Sequence, residues 1–229
     1  IDKIFLLNEK IYSKNDLGGL HSDKICQIDV KGRLTFKMAF EFVEENREKF
    51  PGFYCIMNSD IFFDNSIEKL KYTNLHETKS FVSLLRWEYN AKNIANSKLF
   101  GPRFDSQDTW IIHSNQNISE QMRKTMNFQF GKPGCDNKLI YLFYIFGYEV
   151  YNDPLCIKSY HVHSSKERSY TFKDSVLPPW GMISPYGVKF DKLVNTLGYD
   201  VKYCANKTRN FSKINFEDNN KLHDYICTK

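Results

Sequence analysis

Phe53-Tyr54-Cys55-Ile56-Met57, closed by Asn58-Ser59-Asp60, is the stretch on which the fold turns. Five apolar residues in a row read as a buried strand, and Pro51-Gly52 just before them marks a sharp break. Towards the N-terminus, residues 34–50 carry helical spacing, with Leu34, Met38 and Phe42 in one row and Ala39 and Val43 beside it. Ahead of that helix, 4–7 and 25–30 are short apolar strands. In the other direction 65–70 reads as a short helix and 80–85 as another strand, ending in Arg86-Trp87-Glu88. Strands and helices thus alternate through residues 1–90, the pattern of a largely parallel sheet covered by helices. Polar residues gather just after the strand ends, the edge where open α/β sheets bind ligands.

The second half is less regular. A strand is expected over 109–113, a helix over 138–146, strands over 148–151 and 156–162, and a further helix over 190–197. The economical organisation is one core over 1–175, with a nucleotide-binding half over about 1–90 and an acceptor and catalytic half over about 91–175. Residues 176–229 then form a C-terminal extension packed on the same domain. The 229 residues carry a net charge of only +5, too mild and too scattered for a chain that neutralises many phosphates, so no nucleic-acid partner is expected. With 41% hydrophobic and 26% charged residues the composition is that of a folded domain. The longest nearly apolar run, 139–150, is well short of the roughly 20 residues a membrane-spanning helix needs. No cysteine pair has C-x-x-C spacing, and a reducing, cytoplasmic setting is expected. The chain opens at Ile1 rather than Met, as a domain cut from a longer polypeptide would. Phosphate-loop, Gly-x-Gly-x-x-Gly, Gly-x-Ser-x-Gly and His-Glu-x-x-His motifs do not occur, which argues against the enzyme classes built on them.

Four constellations could carry chemistry. Asp60, at a strand end, is placed to give oxygen to a hard divalent cation, or to cap the next turn as Asp64 would cap the helix after it. The run from Arg103 to Trp110 sets Asp105 and Asp108 beside an arginine and an aromatic wall, suited to a sugar or base, or else forms a solvated acidic loop. Gly131 to Asn137 is a turn that lets a ligand approach closely, with Asp136 either a general base or a helix cap. His161 and His163 lie two apart on a strand and so face one side, able to meet one metal or phosphate. Arg33, Arg86 and Arg168 offer guanidinium forks for phosphate or carboxylate, or make surface ion pairs.

In their order and spacing these pieces resemble glycosyltransferases of the GT-A fold, particularly a group found in bacteria and large DNA viruses. The matching stretches are Leu-Leu-Asn-Glu at 6–9, Asn-Ser-Asp-Ile-Phe-Phe-Asp at 58–64, Arg-Trp-Glu at 86–88, Asp-Ser-Gln-Asp-Thr-Trp at 105–110, Gly-Cys-Asp-Asn at 134–137 and His-Val-His-Ser at 161–164. The resemblance spans about residues 1–170. It implies a Rossmann-like, mostly parallel central sheet flanked by helices, and transfer of a sugar from a nucleoside-diphosphate sugar, UDP favoured, to a glycan or other hydroxyl acceptor. It further implies that Asp60 holds Mn2+ or Mg2+ against the donor diphosphate, with Asn58 standing where the family's motif has its first Asp. His161 or His163 would join that metal, and Asp136 would be the base of an inverting reaction. Asn8, Glu9, Arg33, Asn58, Ser59 and Arg168 would hold the donor. Arg86, Trp87, Asp105, Asp108 and Trp110 would line the sugar and acceptor side. Two other classes compete: a metal-dependent phosphohydrolase or nucleotidyltransferase, and a non-catalytic carbohydrate-binding protein.

Overall fold

The computed structural model describes residues 1–19, 22–101, 103–163, 171–183, 185 and 201–204. In chain order the elements are β1 (Ile4–Asn8), β2 (Ile25–Asp29), α1 (Phe36–Asn46), β3 (Phe53–Met57), β4 (Ile61–Phe63), β5 (Ser80–Leu84), β6 (Trp87–Glu88), β7 (Lys98–Leu99), β8 (Thr109–His113), α2 (Glu120–Lys124), α3 (Cys135–Ile145), β9 (Glu149–Tyr151), β10 (Ser159–His161), β11 (Trp180–Ile183) and β12 (Val201–Cys204). Short 3-10 turns cover Asn65–Tyr72, Ile94–Asn96 and Phe172–Asp174.

The largest core is organised by one sheet in the order β3-β8-β5-β9. Side chains alternate across its faces because a strand repeats every two residues. Tyr54, Ile56, Phe81, Trp110, Ile112 and Val150 point to one side, where α1, α2 and α3 close over them. Cys55, Val82, Leu84, Ile111 and Tyr151 point to the other, against Leu70, Leu75 and Ile157. Phe81 and Phe143 stack at 3.5 Å between ring centroids, and each fully buried ring contributes roughly 1.5–3 kcal/mol from apolar burial. Thr35 caps α1 by accepting from the Met38 amide at 3.3 Å, and α1 buries Phe36, Ala39, Phe40 and Val43. The expected helix over 34–50 is therefore present but shorter at both ends.

This architecture corrects the expectation of a GT-A-type, Rossmann-like and mostly parallel sheet flanked by helices. In the main sheet β8 runs antiparallel to both β3 and β5, and only β5 and β9 are parallel. β1 and β2 form a separate parallel pair, and the small sheet β4-β10-β6-β7 is again mixed. The three described α-helices pack against one face of the main sheet rather than both. The reason is physical. An apolar run reports that a strand is covered on both faces, and says nothing of its direction. What joins β3 to β5 is also no α-helical crossover but β4 and a 3-10 turn, so the alternation in the sequence overstated the helical layer.

The start of the C-terminal extension packs on the core. Gly181 of β11 lies against the Tyr141 backbone of α3, and Ile183 joins the large apolar cluster. β11 pairs with β12 in an antiparallel ladder. The helix expected over 190–197 lies outside the described residues, as does Arg168. Among the described residues no helix is long and apolar enough to cross a membrane.

Candidate functional site

β10 is inserted between β4 and β6, and this insertion assembles the site. His161 is registered against Ile61 on its antiparallel side and against Glu88 on its parallel side. The Val162 amide donates to the Asp60 carbonyl at 2.9 Å, which fixes the chain just before β4 beside the end of β10. Three segments remote in sequence thereby meet. His161 Nε2 donates to Asp60 Oδ2 at 2.9 Å, and His161 Nδ1 lies 3.9 Å from Glu88 Oε2. His163 Nε2 is in close contact with the same Glu88 oxygen. The two imidazoles stand edge to face, their centroids 4.1 Å apart.

The hydrogen bond from His161 holds the Asp60 carboxyl below the usual carboxylate range, and the same bond raises the pKa of the imidazole. Asp60 Oδ1 and His161 Nδ1 are buried and have no hydrogen-bond partner among the described residues. Buried polar atoms are rarely left so, and a cation is one partner that satisfies both an oxygen and an imidazole nitrogen. One ligand atom each from Glu88, His161 and His163 fall within 4.8 Å of one another. The residues present therefore fit a divalent ion. His163, 59% exposed, keeps one side open to solvent.

Arg86 couples this cluster to the loop before β8. Its side chain is only 13% exposed, with Nε donating to Glu88 Oε1 at 2.9 Å and Nη1 to Asp108 Oδ2 at 2.6 Å. The guanidinium carbon sits 3.9 Å above the Phe100 ring, which covers its flat face. Asn58 Nδ2 approaches Asp108 Oδ1 at 3.5 Å. Arg86 is thus committed to two carboxylates rather than held free for a ligand.

Asp136 lies on the other side of that loop. α3 opens at Gly134, whose φ of +77° is left-handed, and a Cβ there would stand 3.1 Å from the Trp180 indole nitrogen. Because the cap position is Gly134, Asp136 is a residue inside the first turn of the helix. The cap reading of Asp136 is thus replaced: its Oδ2 instead accepts from the Gln107 amide at 3.0 Å. Burial of the carboxyl pushes it up to about 7, opposed by the Gln107 bond and reinforced by the nearby charges of Asp108 and Asp105. A carboxyl poised near neutrality suits proton transfer. Gln107 Oε1 and Asn137 Nδ2, flanking this point, are buried without hydrogen-bond partners among the described residues. Arg103 grips Asp105 through Nε and Nη2, at 2.6 and 3.0 Å.

The remaining candidates separate. Trp110 is 1% exposed and packs edge-on against Phe36 at 4.8 Å, so its ring belongs to the core and walls no open site. The Trp87 indole donates to the Pro154 carbonyl at 2.7 Å, and Lys158 sits over its ring at 4.8 Å. Asn8 donates to Gln27 Oε1 at 3.0 Å at the end of β1, while exposed Glu9 and Arg33 face each other at 3.6 Å. Ser59 is exposed on the turn before Asp60. Asp64 caps the 3-10 turn through the Ser66 amide at 2.8 Å and accepts from the Tyr160 hydroxyl at 3.0 Å. Sequence reasoning passed over two residues, Glu88 and Gln107. Glu88 stood in a quoted motif, two residues beyond Arg86, but only the pairing of β6 with β10 brings it to the histidines. No family model, no curated protein and no solved structure matches this chain.

Proposed function

We propose that this chain is a nucleotide-sugar-dependent glycosyltransferase that moves a sugar, by inversion, from a UDP-sugar to a glycan or other hydroxyl acceptor. The observation that carries the reading is one loop joining two different chemistries. Gln107 holds Asp136, a carboxyl poised near neutrality, and its neighbour Asp108 holds Arg86, which holds Glu88 beside the two histidines. A base for a hydroxyl proton and a seat for a cation are what displacement of a nucleoside diphosphate by an alcohol requires. Support comes from the site rather than from fold kinship.

Asp136, ionised, accepts the proton of the attacking hydroxyl as the new bond to the sugar forms. Desolvation makes that carboxylate a stronger base than a surface aspartate. Mn2+ or Mg2+ at the histidine–carboxylate cluster would neutralise charge on the departing diphosphate. Arg86 keeps Glu88 and Asp108 oriented, so each side of the reaction is held through a charge-assisted bond. Asn8, Glu9 and Arg33, at the ends of β1 and β2, are assigned to the donor nucleotide. Cys26, Cys55 and Cys135 are free thiols, which supports a cytoplasmic setting.

Incubation with a panel of UDP-sugars, Mn2+ and sugar acceptors, followed by mass spectrometry, tests this. Transfer should depend on the acceptor and fall by about 10²–10⁴-fold in Asp136→Asn, with UDP binding retained. Release of phosphate without an acceptor would replace the reading by a phosphohydrolase. Binding of sugar without turnover would leave a carbohydrate-binding protein.

A further inference from the structure

We infer that the divalent cation is held by His161 Nδ1, His163 Nε2 and a Glu88 oxygen, and that Asp60 is a positioning residue that aims His161 rather than a metal ligand. This deepens the function proposed above, which it presupposes only for the purpose the cation serves.

A carboxylate without a proton can only accept, so the 2.9 Å bond to Asp60 Oδ2 requires the hydrogen of His161 to sit on Nε2. In the neutral ring the lone pair then falls on Nδ1. That nitrogen is the one that is buried and unpartnered, and it lies 3.9 Å from Glu88 Oε2. Two donors each about 2.0–2.2 Å from a shared ion stand about 3.0–3.6 Å apart at octahedral or tetrahedral angles, so a shift of about half an ångström closes this pair on an ion. His163 Nε2 meets the same oxygen from the open side, and the three ligand atoms fall within 4.8 Å. A carboxylate that fixes the tautomer of a ligating histidine through its other ring nitrogen is a recurrent outer partner of metal sites. Asp60 occupies that place. Glu88 is itself oriented by Arg86 at 2.9 Å, so both the first histidine and the carboxylate are held from behind.

The donor set also sets a preference. Two imidazoles and one carboxylate suit Mn2+, Co2+ or Zn2+, whereas Mg2+ takes oxygen and gives up its waters reluctantly. Three protein donors leave positions for outside oxygens, which a diphosphate can fill.

The test is calorimetric titration of the full chain with Mn2+, Co2+ and Mg2+ in the absence of nucleotide. Circular dichroism confirms the fold of each variant. One equivalent of Mn2+ or Co2+ should bind, with Mg2+ at least about tenfold weaker. Glu88→Gln and His163→Ala should each lose about 100-fold or more, and His163 is exposed enough for its variant to fold. Asp60→Asn should keep binding, weakened about 10–100-fold. Nitrogen NMR of the metal-free protein supplies a second readout: His161 should carry its hydrogen on Nε2, and this preference should disappear in Asp60→Ala, which has no acceptor at that position. Loss of binding in Asp60→Asn equal to or greater than that in Glu88→Gln would overturn the assignment by making Asp60 a ligand. So would binding indifferent to Glu88 and His163, or no binding at all. Acceptor-dependent transfer that falls in Asp136→Asn is read by its own assay, so a wrong ligand set and a wrong sugar-transfer reading are told apart.

Discussion

Replacing Asp136 by Asn should make the protein more stable at pH 8 and leave it nearly unchanged at pH 4. Burial raises the carboxyl from 3.8 to about 7 in the folded chain. Below pH 3.8 both folded and unfolded chains hold the proton and nothing is lost. Between that value and about 7 the folded chain binds more protons than the unfolded one, so stability falls as pH rises, at about 1.4 kcal/mol per pH unit. Above about 7 the penalty is complete and reaches at most about 4 kcal/mol. Asn cannot ionise, and its oxygen still accepts from the Gln107 amide. The variant should therefore gain up to about 4 kcal/mol at pH 8, a rise in Tm of up to roughly 8–16 °C for a chain of this size. Urea unfolding followed by tryptophan fluorescence from pH 4 to 9 measures the difference between parent and variant, which cancels every other titrating group. Two parallel profiles, or a variant less stable at pH 8, would refute the reasoning. Paired with lost transfer, the same substitution would exhibit a base kept at a cost in stability.

Three further changes probe the frame. Asp153 is buried, with Oδ1 accepting from the Cys156 amide at 3.0 Å and Oδ2 unpartnered, and burial pushes it up to about 6. Asp153→Asn keeps the acceptor, so it should add up to about 3 kcal/mol at pH 7.5 and nothing at pH 3.5, again by urea unfolding. Phe143→Ala empties the space beside Phe81, Phe40 and Tyr148 and should cost about 3–5 kcal/mol, read as a lower urea midpoint at unchanged slope. Gly181→Ala places a Cβ 2.7 Å from the Tyr141 backbone nitrogen and 2.8 Å from the Ile140 side chain. It should lift β11 from α3 at a cost of about 1–3 kcal/mol, seen as a lower Tm.

The large sheet and α1 were legible because their cores announce themselves. Phe53–Met57, Ser80–Leu84 and Thr109–His113 are largely apolar runs, and helical spacing marked α1, although the buried face is Phe36, Ala39, Phe40 and Val43 and the row of Leu34, Met38 and Phe42 is only partly buried. Strand direction left no mark, because a strand covered on both faces has the same composition either way, and β8 turned the sheet mixed. β4, β6 and β7 have two or three residues each, too few to show any period, and they exist only through their pairing with one another and with β10. The site divides along the same line. Asp60 and the two histidines were grouped from the sequence, and the structure bonds Asp60 to His161. Glu88 was invisible in that role, because it reaches the histidines through a register that no local pattern encodes. Trp110 was read by its residue type as a wall, whereas alternation with Ile111 puts it on the face it shares with Ile112, buried facing α1.

β10 has a consequence for how the molecule matures. During synthesis β4 and β6 emerge some hundred and some seventy residues ahead of the strand that must lie between them. Until it arrives, both present unpaired edges, the kind of surface that invites wrong partners. Closing two such long loops with a three-residue strand carries a large entropic cost for few hydrogen bonds. A cation that bridges β6 and β10 would then act as a clasp, added after the helices have closed over the main sheet. Completion of the cation site and completion of the fold would become a single late event, and a nascent chain halted before residue 159 would hold much of its core and Asp136 but no seat for the cation.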